Sequence, residues 1–201
     1  MYFNVGNDFI MSEYLEFQRY GRNKSTLVNS KYISSGEYRK KFDKITNNAD
    51  LSRLLYSKAK EMLIHRSGTL YEDMYWIDSE KVDIITREIN SFEEEQILYS
   101  ESINRAIVGN NNVIAMHTHP CSMPPSIADF NSVEEHNYQL SIVLGHDGKV
   151  FCYRSSEKIT KLMYDLYFAD SYKKLHDEYL AQYEALKKLS ETYDIEFWEV
   201  I

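Results

Sequence analysis

Three observations on this chain of 201 residues point to an α/β fold, a three-layer α-β-α sandwich with a mixed sheet. Short runs rich in β-branched and aromatic residues lie between Thr69 and Tyr153, each bounded by turn-forming residues. Apolar residues recur at three- and four-residue steps both before and after that region. Two further helical segments interrupt the strands, so helices lie before, within and after the sheet and can cover both of its faces. The length fits one domain with a sizeable core. With 43% hydrophobic residues, 14% aromatics, three prolines and seven glycines, the composition is that of a folded protein rather than a disordered one.

Residues 1–47 are polar and mixed in charge, and read as an N-terminal extension with short helices ahead of a domain over 48–201. Asn48-Ala49-Asp50 offers capping side chains, and Leu51, Leu54, Leu55, Ala59, Met62 and Leu63 then form one apolar face of an amphipathic helix. That helix should end near Ser67-Gly68, where glycine accepts left-handed backbone. The aromatic run Thr69–Asp78 and the segment Val82–Thr86 form a hairpin around a polar turn. Glu101–Val108 suggests a short helix, and Gly109-Asn110-Asn111-Asn112 turns the chain into the strand Val113-Ile114-Ala115-Met116. A helix opens at Ser126 and runs toward Tyr138. Leu140–Leu144 and Lys149–Tyr153 flank Gly145-His146-Asp147-Gly148 as a second hairpin, which makes the sheet at least five-stranded. Beyond Glu157 the period is helical, with a break expected at Ala169-Asp170-Ser171, and Ile195–Val200 is either a last strand or a tail packed on the core.

Charge and cysteine content exclude some functions. With 23 Lys+Arg against 31 Asp+Glu, the net charge of -8 repels phosphate backbones, so no general nucleic-acid partner is expected. Cys121 and Cys152 are the only cysteines; two thiols make no disulfide framework, and a reducing, cytoplasmic setting is the simpler expectation. Met1–Asp8 lacks the basic and apolar regions of a signal peptide. No stretch approaches the roughly 20 apolar residues of a membrane span.

The chemistry concentrates in His117-Thr118-His119-Pro120 and Ser126-Ile127-Ala128-Asp129. Side chains two apart on a strand share a face, and Pro120 ends the strand, leaving both imidazoles at its C-terminal edge. On a helix opened by Ser126, Asp129 falls on the same face as that serine. Two imidazoles and a carboxylate are the three-ligand set of a catalytic zinc site with one open position. Each fragment has a plainer reading alone, since Ser-x-x-Asp also forms a capping box; together within thirteen residues they point to a metal. Hydrolysis at such a site also needs a carboxylate as general base. Glu72, on the aromatic strand, is the best candidate; Glu88 is weaker, Glu80 falls in a turn, and Glu93-Glu94-Glu95 reads as a solvated charge run. Ser126 would donate a hydrogen bond to a developing oxyanion. His136 reads as a histidine behind the site or on the surface; His65, His146 and His176 as helix-end, turn and surface residues; and Cys121 as an ordinary loop thiol.

The order Glu72, His117-Thr118-His119-Pro120, Ser126, Asp129 resembles the JAMM (MPN-plus, JAB-domain) zinc metallopeptidases over about residues 69–154. The resemblance implies a cytidine deaminase-like sandwich, one zinc ion held by His117, His119 and Asp129, Glu72 as general base and Ser126 as oxyanion support. It also implies cleavage of peptide or isopeptide bonds in a protein substrate, often after the C-terminal glycine of ubiquitin or a ubiquitin-like protein. The loop Pro120–Pro125 is one residue shorter than the family's usual one, so the place of Ser126 depends on how that loop folds. The short path from Asp129 to the next strand leaves little room for the insertion with which eukaryotic deubiquitinases hold a distal ubiquitin, which favours a bacterial or phage-type member. An extended protein tail would fit beside an open strand near the site. The competing reading is a non-catalytic MPN-like binding module or a RadC-like accessory protein.

Overall fold

A computed structural model describes residues 26–201. It is α/β, with a six-stranded sheet in the order β2-β1-β3-β4-β5-β6. The strands are β1 (Met74–Asp78), β2 (Asp83–Glu88), β3 (Val113–His119), β4 (Leu140–Gly145), β5 (Val150–Ser155) and β6 (Ile195–Glu199). Only β3 and β4 pair in parallel, and the other neighbours are antiparallel, so the sheet is mixed. The residues 195–200 left open between strand and tail include a true edge strand paired with β5.

Alternation along the strands sends side chains to two cores. Ile114 and Met116 of β3 join Tyr75, Ile142, Leu144 and Cys152 on one face. There they meet α1 (Ser30–Ile33), α2 (Gly36–Asp43) and α3 (Ala49–Arg66) through Ile33, Tyr38, Phe42, Leu55, Met62 and Leu63. Val113 and Ala115 face the other way with Trp76, Val143 and Phe151. This second face is covered by α4 (Glu101–Ile107), α5 (Ile127–His136), α6 (Lys161–Leu175) and α7 (Glu178–Ser190). The odd-numbered positions of β3 face this second core, so His117 and His119 belong to its side.

The described part of the expected N-terminal extension does carry short helices, and three of its side chains are fully buried in the first core. Asn48 caps α3 by accepting from the Asp50 and Leu51 amides. That helix ends at Arg66, and Gly68 takes a φ of 84°, the left-handed geometry that glycine adopts without a Cβ clash. The break among the C-terminal helices is not at Ala169-Asp170-Ser171. Asp170 instead bonds Lys174 one turn on and Lys188 on α7, which supports a continuous helix. The chain breaks at His176, in left-handed backbone, and Asp177 caps α7 through the Leu180 amide. Among the described residues, no helix is long and apolar enough to cross a membrane.

Candidate metal centre

β3 carries the two imidazoles to the end of the sheet and stops at Pro120, as its sequence requires. His117 Nε2 and His119 Nε2 lie 3.0 Å apart. From the first turn of α5, Asp129 brings one carboxylate oxygen to 3.3 Å from His117 Nε2 and the other to 3.5 Å from His119 Nε2. Ligand atoms around a tetrahedral ion with bonds of roughly 2.0–2.1 Å are separated by roughly 3.3 Å, a spacing close to that between the two imidazole nitrogens and between each nitrogen and its own Asp129 oxygen. The outer nitrogen of His119 reinforces the fit: Nδ1 is 2.9 Å from the Met123 carbonyl, which fixes its proton there and turns the Nε2 lone pair inward.

Glu72 lies just ahead of β1 rather than within it. The register Met74↔His117 continues through the Thr118 amide, which donates to the Asp73 carbonyl (3.1 Å), and this places Glu72 opposite His119. The lead-in is clamped: the Asp73 amide donates to Thr118 Oγ1 (3.0 Å), and the buried Asp73 carboxylate is held by Arg66 and by His65 Nδ1 at 2.7 Å. As a result Glu72, 6% exposed, has a carboxylate oxygen within 4.8 Å of a nitrogen on each histidine. Two carboxylates, Glu72 and Asp129, therefore face the same pair of imidazoles, and Glu72 with the two histidines already forms a group that could hold a metal ion; protonation distinguishes the two. Burial pushes the Glu72 carboxyl up to about 7, against the pull of both imidazoles. Asp129 is also enclosed, but the charge and hydrogen bonds of His117 and His119 hold it well below the usual carboxylate range. His119 is raised to about 9, because Asp129, assisted by Glu72, overcomes the opposing effect of burial. Asp129 is thus an anion ready for a cation, whereas Glu72 is poised to take or give a proton near neutral pH.

Ser126 does form the capping box that its spacing allowed: its Oγ accepts from the Asp129 amide (3.2 Å), while Asp129 Oδ2 accepts from the Ser126 amide (2.6 Å). The cap and the carboxylate–imidazole cluster are one device, since the bond that starts α5 also orients Asp129. Ser126 faces a cleft of about 270 Å³ that contains Glu72, His119 and Asp129 and is walled by Tyr164 and Phe168 of α6. The short loop before it is fixed by Gln182 of α7, whose Nε2 donates to the carbonyls of Pro124 (2.9 Å) and Pro125 (3.1 Å).

Local spacing did not reveal Gln182, Tyr164, Phe168 or Glu95 as cleft residues, because they come from distant segments. Glu95 is exposed, but it is not merely part of a solvated run: its Oε1 accepts from Cys121 Sγ at 2.8 Å on the cleft wall. Burial, helped by Glu95, pushes the Cys121 thiol up to about 12, as expected of an unreactive loop thiol. His136 stacks on Tyr99 (4.9 Å between ring centres) and Tyr138 (5.4 Å) instead of reaching the ligands. His146, in its turn, is buried, with Nδ1 2.7 Å from the Thr26 carbonyl. Glu80 remains in the β1–β2 turn, where it accepts from Asn112 Nδ2, and Glu88 accepts from the Asn90 amide. β3 lies inside the sheet between β1 and β4, so no open edge beside the histidines is available for an added strand. Comparison with protein-family models, with curated proteins and with solved structures gives no match.

Proposed function

We propose that this chain is a zinc-dependent hydrolase of amide bonds, peptide or isopeptide, of the JAMM metallopeptidase type, and that its layered mixed sheet is the cytidine deaminase-like sandwich of that family. The observation that carries the reading is the cluster at the end of β3: two imidazole nitrogens and the Asp129 carboxylate at separations of 3.0, 3.3 and 3.5 Å, with a second carboxylate against the same rings in a different protonation range. His117, His119 and Asp129 would hold the ion. When bound, a zinc ion supplies Lewis acidity, polarising the scissile carbonyl and acidifying the attacking water.

The chain's own groups do the rest. Glu72 takes a proton from water and returns it to the leaving amine, a double role suited to a carboxyl near 7. Ser126 Oγ already accepts from the Asp129 amide, so its hydroxyl proton is available for the oxyanion that develops on the carbonyl. Because β3 is interior, the substrate segment must cross the strand ends through the cleft, between the Met123–Ser126 loop and the aromatic wall of Tyr164 and Phe168.

The test is a panel of peptides and isopeptide-linked lysine substrates assayed with the wild type, with and without chelator, and with Glu72→Gln. The reading predicts chelator-sensitive cleavage by the wild type. Glu72→Gln should retain one equivalent of zinc while turnover falls by roughly 10²–10⁴. Cleavage indifferent to chelation, or full turnover by Glu72→Gln, would contradict it.

A further inference from the structure

A second cavity, of about 200 Å³, lies behind the ligand cluster and shares Ala128 and Asp129 with the cleft. Its polar wall is made of His117, Ser132, Tyr138, Ser141 and Tyr153. The two histidines differ in how their outer nitrogens are satisfied. His119 Nδ1 meets a carbonyl, whereas His117 Nδ1, on a ring 4% exposed, is buried and has no hydrogen-bond partner among the described residues. A histidine that ligates through Nε2 must carry its proton on Nδ1, and such protons are almost always given to a carboxylate, a carbonyl or water.

Ser141 lies on the adjacent parallel strand, on the same sheet face as His117. It is 1% exposed, and its Oγ lies against the cross-strand Tyr153 but makes no hydrogen bond of ordinary geometry. Other hydroxyls of the cavity form an ordered chain: Trp76 Nε1 donates to Tyr138 (2.8 Å), Tyr138 to Tyr99 (3.3 Å), and Tyr99 pairs with Ser132 (3.1 Å). His117 Nδ1 and Ser141 Oγ are thus two unpartnered polar atoms on residues that line one cavity, otherwise walled in part by Met74, Ile97 and Ala128, with room for several waters of roughly 30 Å³ each.

We propose that this cavity is a structural water site in which ordered water accepts the Nδ1 proton of His117 and donates to the hydroxyls of Ser141 and Tyr153, making these two positioning residues for the metal ligand. The inference rests on His117 being a zinc ligand. The experiment measures the zinc dissociation constant of the full chain by chelator competition in the wild type, Ser141→Ala, Ser141→Thr and Tyr153→Phe, together with the imidazole ¹⁵N shifts of His117. The expected result is a roughly 10–100-fold weaker constant in Ser141→Ala and in Tyr153→Phe, near-wild-type binding in Ser141→Thr, and a His117 proton on Nδ1 in the zinc-loaded wild type. Melting of the metal-free variants separates this from misfolding; if Ser141→Ala does not fold, Tyr153→Phe decides. A wild type that binds zinc tightly while both deletions match it overturns the water site and leaves the metal reading standing. A wild type that binds no zinc overturns both.

Discussion

Two carboxylates and two imidazoles share one small volume, and each has a different relation to protons. Asp129 stays ionised, Glu72 titrates near 7 and His119 near 9. An ion entering the site must therefore displace the His119 proton, so its apparent affinity should fall about tenfold for each pH unit below about 9. Zinc titrations from pH 6 to 8 check this, and an affinity flat across that range would remove His119 from the ligand set. Glu72 affects stability in its own direction. Its folded value lies above the ordinary glutamate value of 4.5, so the stability it contributes is complete below about 4.5 and is lost as pH rises through about 7. Metal-free Glu72→Gln should consequently be more stable than the metal-free wild type at pH 8 and equal to it near pH 4, as read by urea denaturation. At this scale the sequence was informative where chemistry is local: His117, His119, Ser126 and Asp129 lie within one short stretch. Glu72 lies far from them in sequence and reaches the histidines only through the pairing of β1 with β3, and Gln182 and Glu95 were invisible because their contacts are made only by the folded chain.

The element that matters most is α5, whose first hydrogen bonds both begin the helix and aim Asp129 at the histidines. Ser126→Ala should therefore have two separable effects: a loss of about 1 kcal/mol of folding stability from the missing cap, measured by chemical denaturation, and a fall in kcat of roughly 10²–10³ from the lost donor. A variant with the stability loss and wild-type kcat would reduce Ser126 to a cap. The short loop ahead of it keeps Ser126 in the cleft because Gln182 holds Pro124 and Pro125 from α7. Strands and capped helices were legible from alternation and from Asn48 and Ser126. The boundary between α6 and α7 was not: Ala169-Asp170-Ser171 looks like a breaker in isolation, but Asp170 is committed to Lys174 and Lys188, and the real stop is left-handed His176 followed by the Asp177 cap.

For the whole molecule, the mixed sheet forms a rigid partition with one core on each face, and the candidate centre lies where β3 ends and α5 begins on the second face. The proposed ligands come from both elements, so a bound ion would tie them together in the native state alone. At a free ion concentration 1,000 times its dissociation constant, zinc should add about 4 kcal/mol, or roughly 8–16 °C in melting temperature for a chain of this size; chelation should reverse the gain. The layered architecture followed from helical periods on either side of the strands, whereas the interior place of β3, which excludes strand addition beside the histidines, emerged only from the strand order. The decisive observation is an anomalous difference map recorded at the zinc edge from crystals grown with zinc. It should contain one peak roughly 2.0–2.2 Å from His117 Nε2, His119 Nε2 and an Asp129 oxygen, with Glu72 outside the coordination sphere. No peak there would contradict the proposed centre, and so would a peak ligated by Glu72 in place of Asp129, which would also leave the reaction without its base.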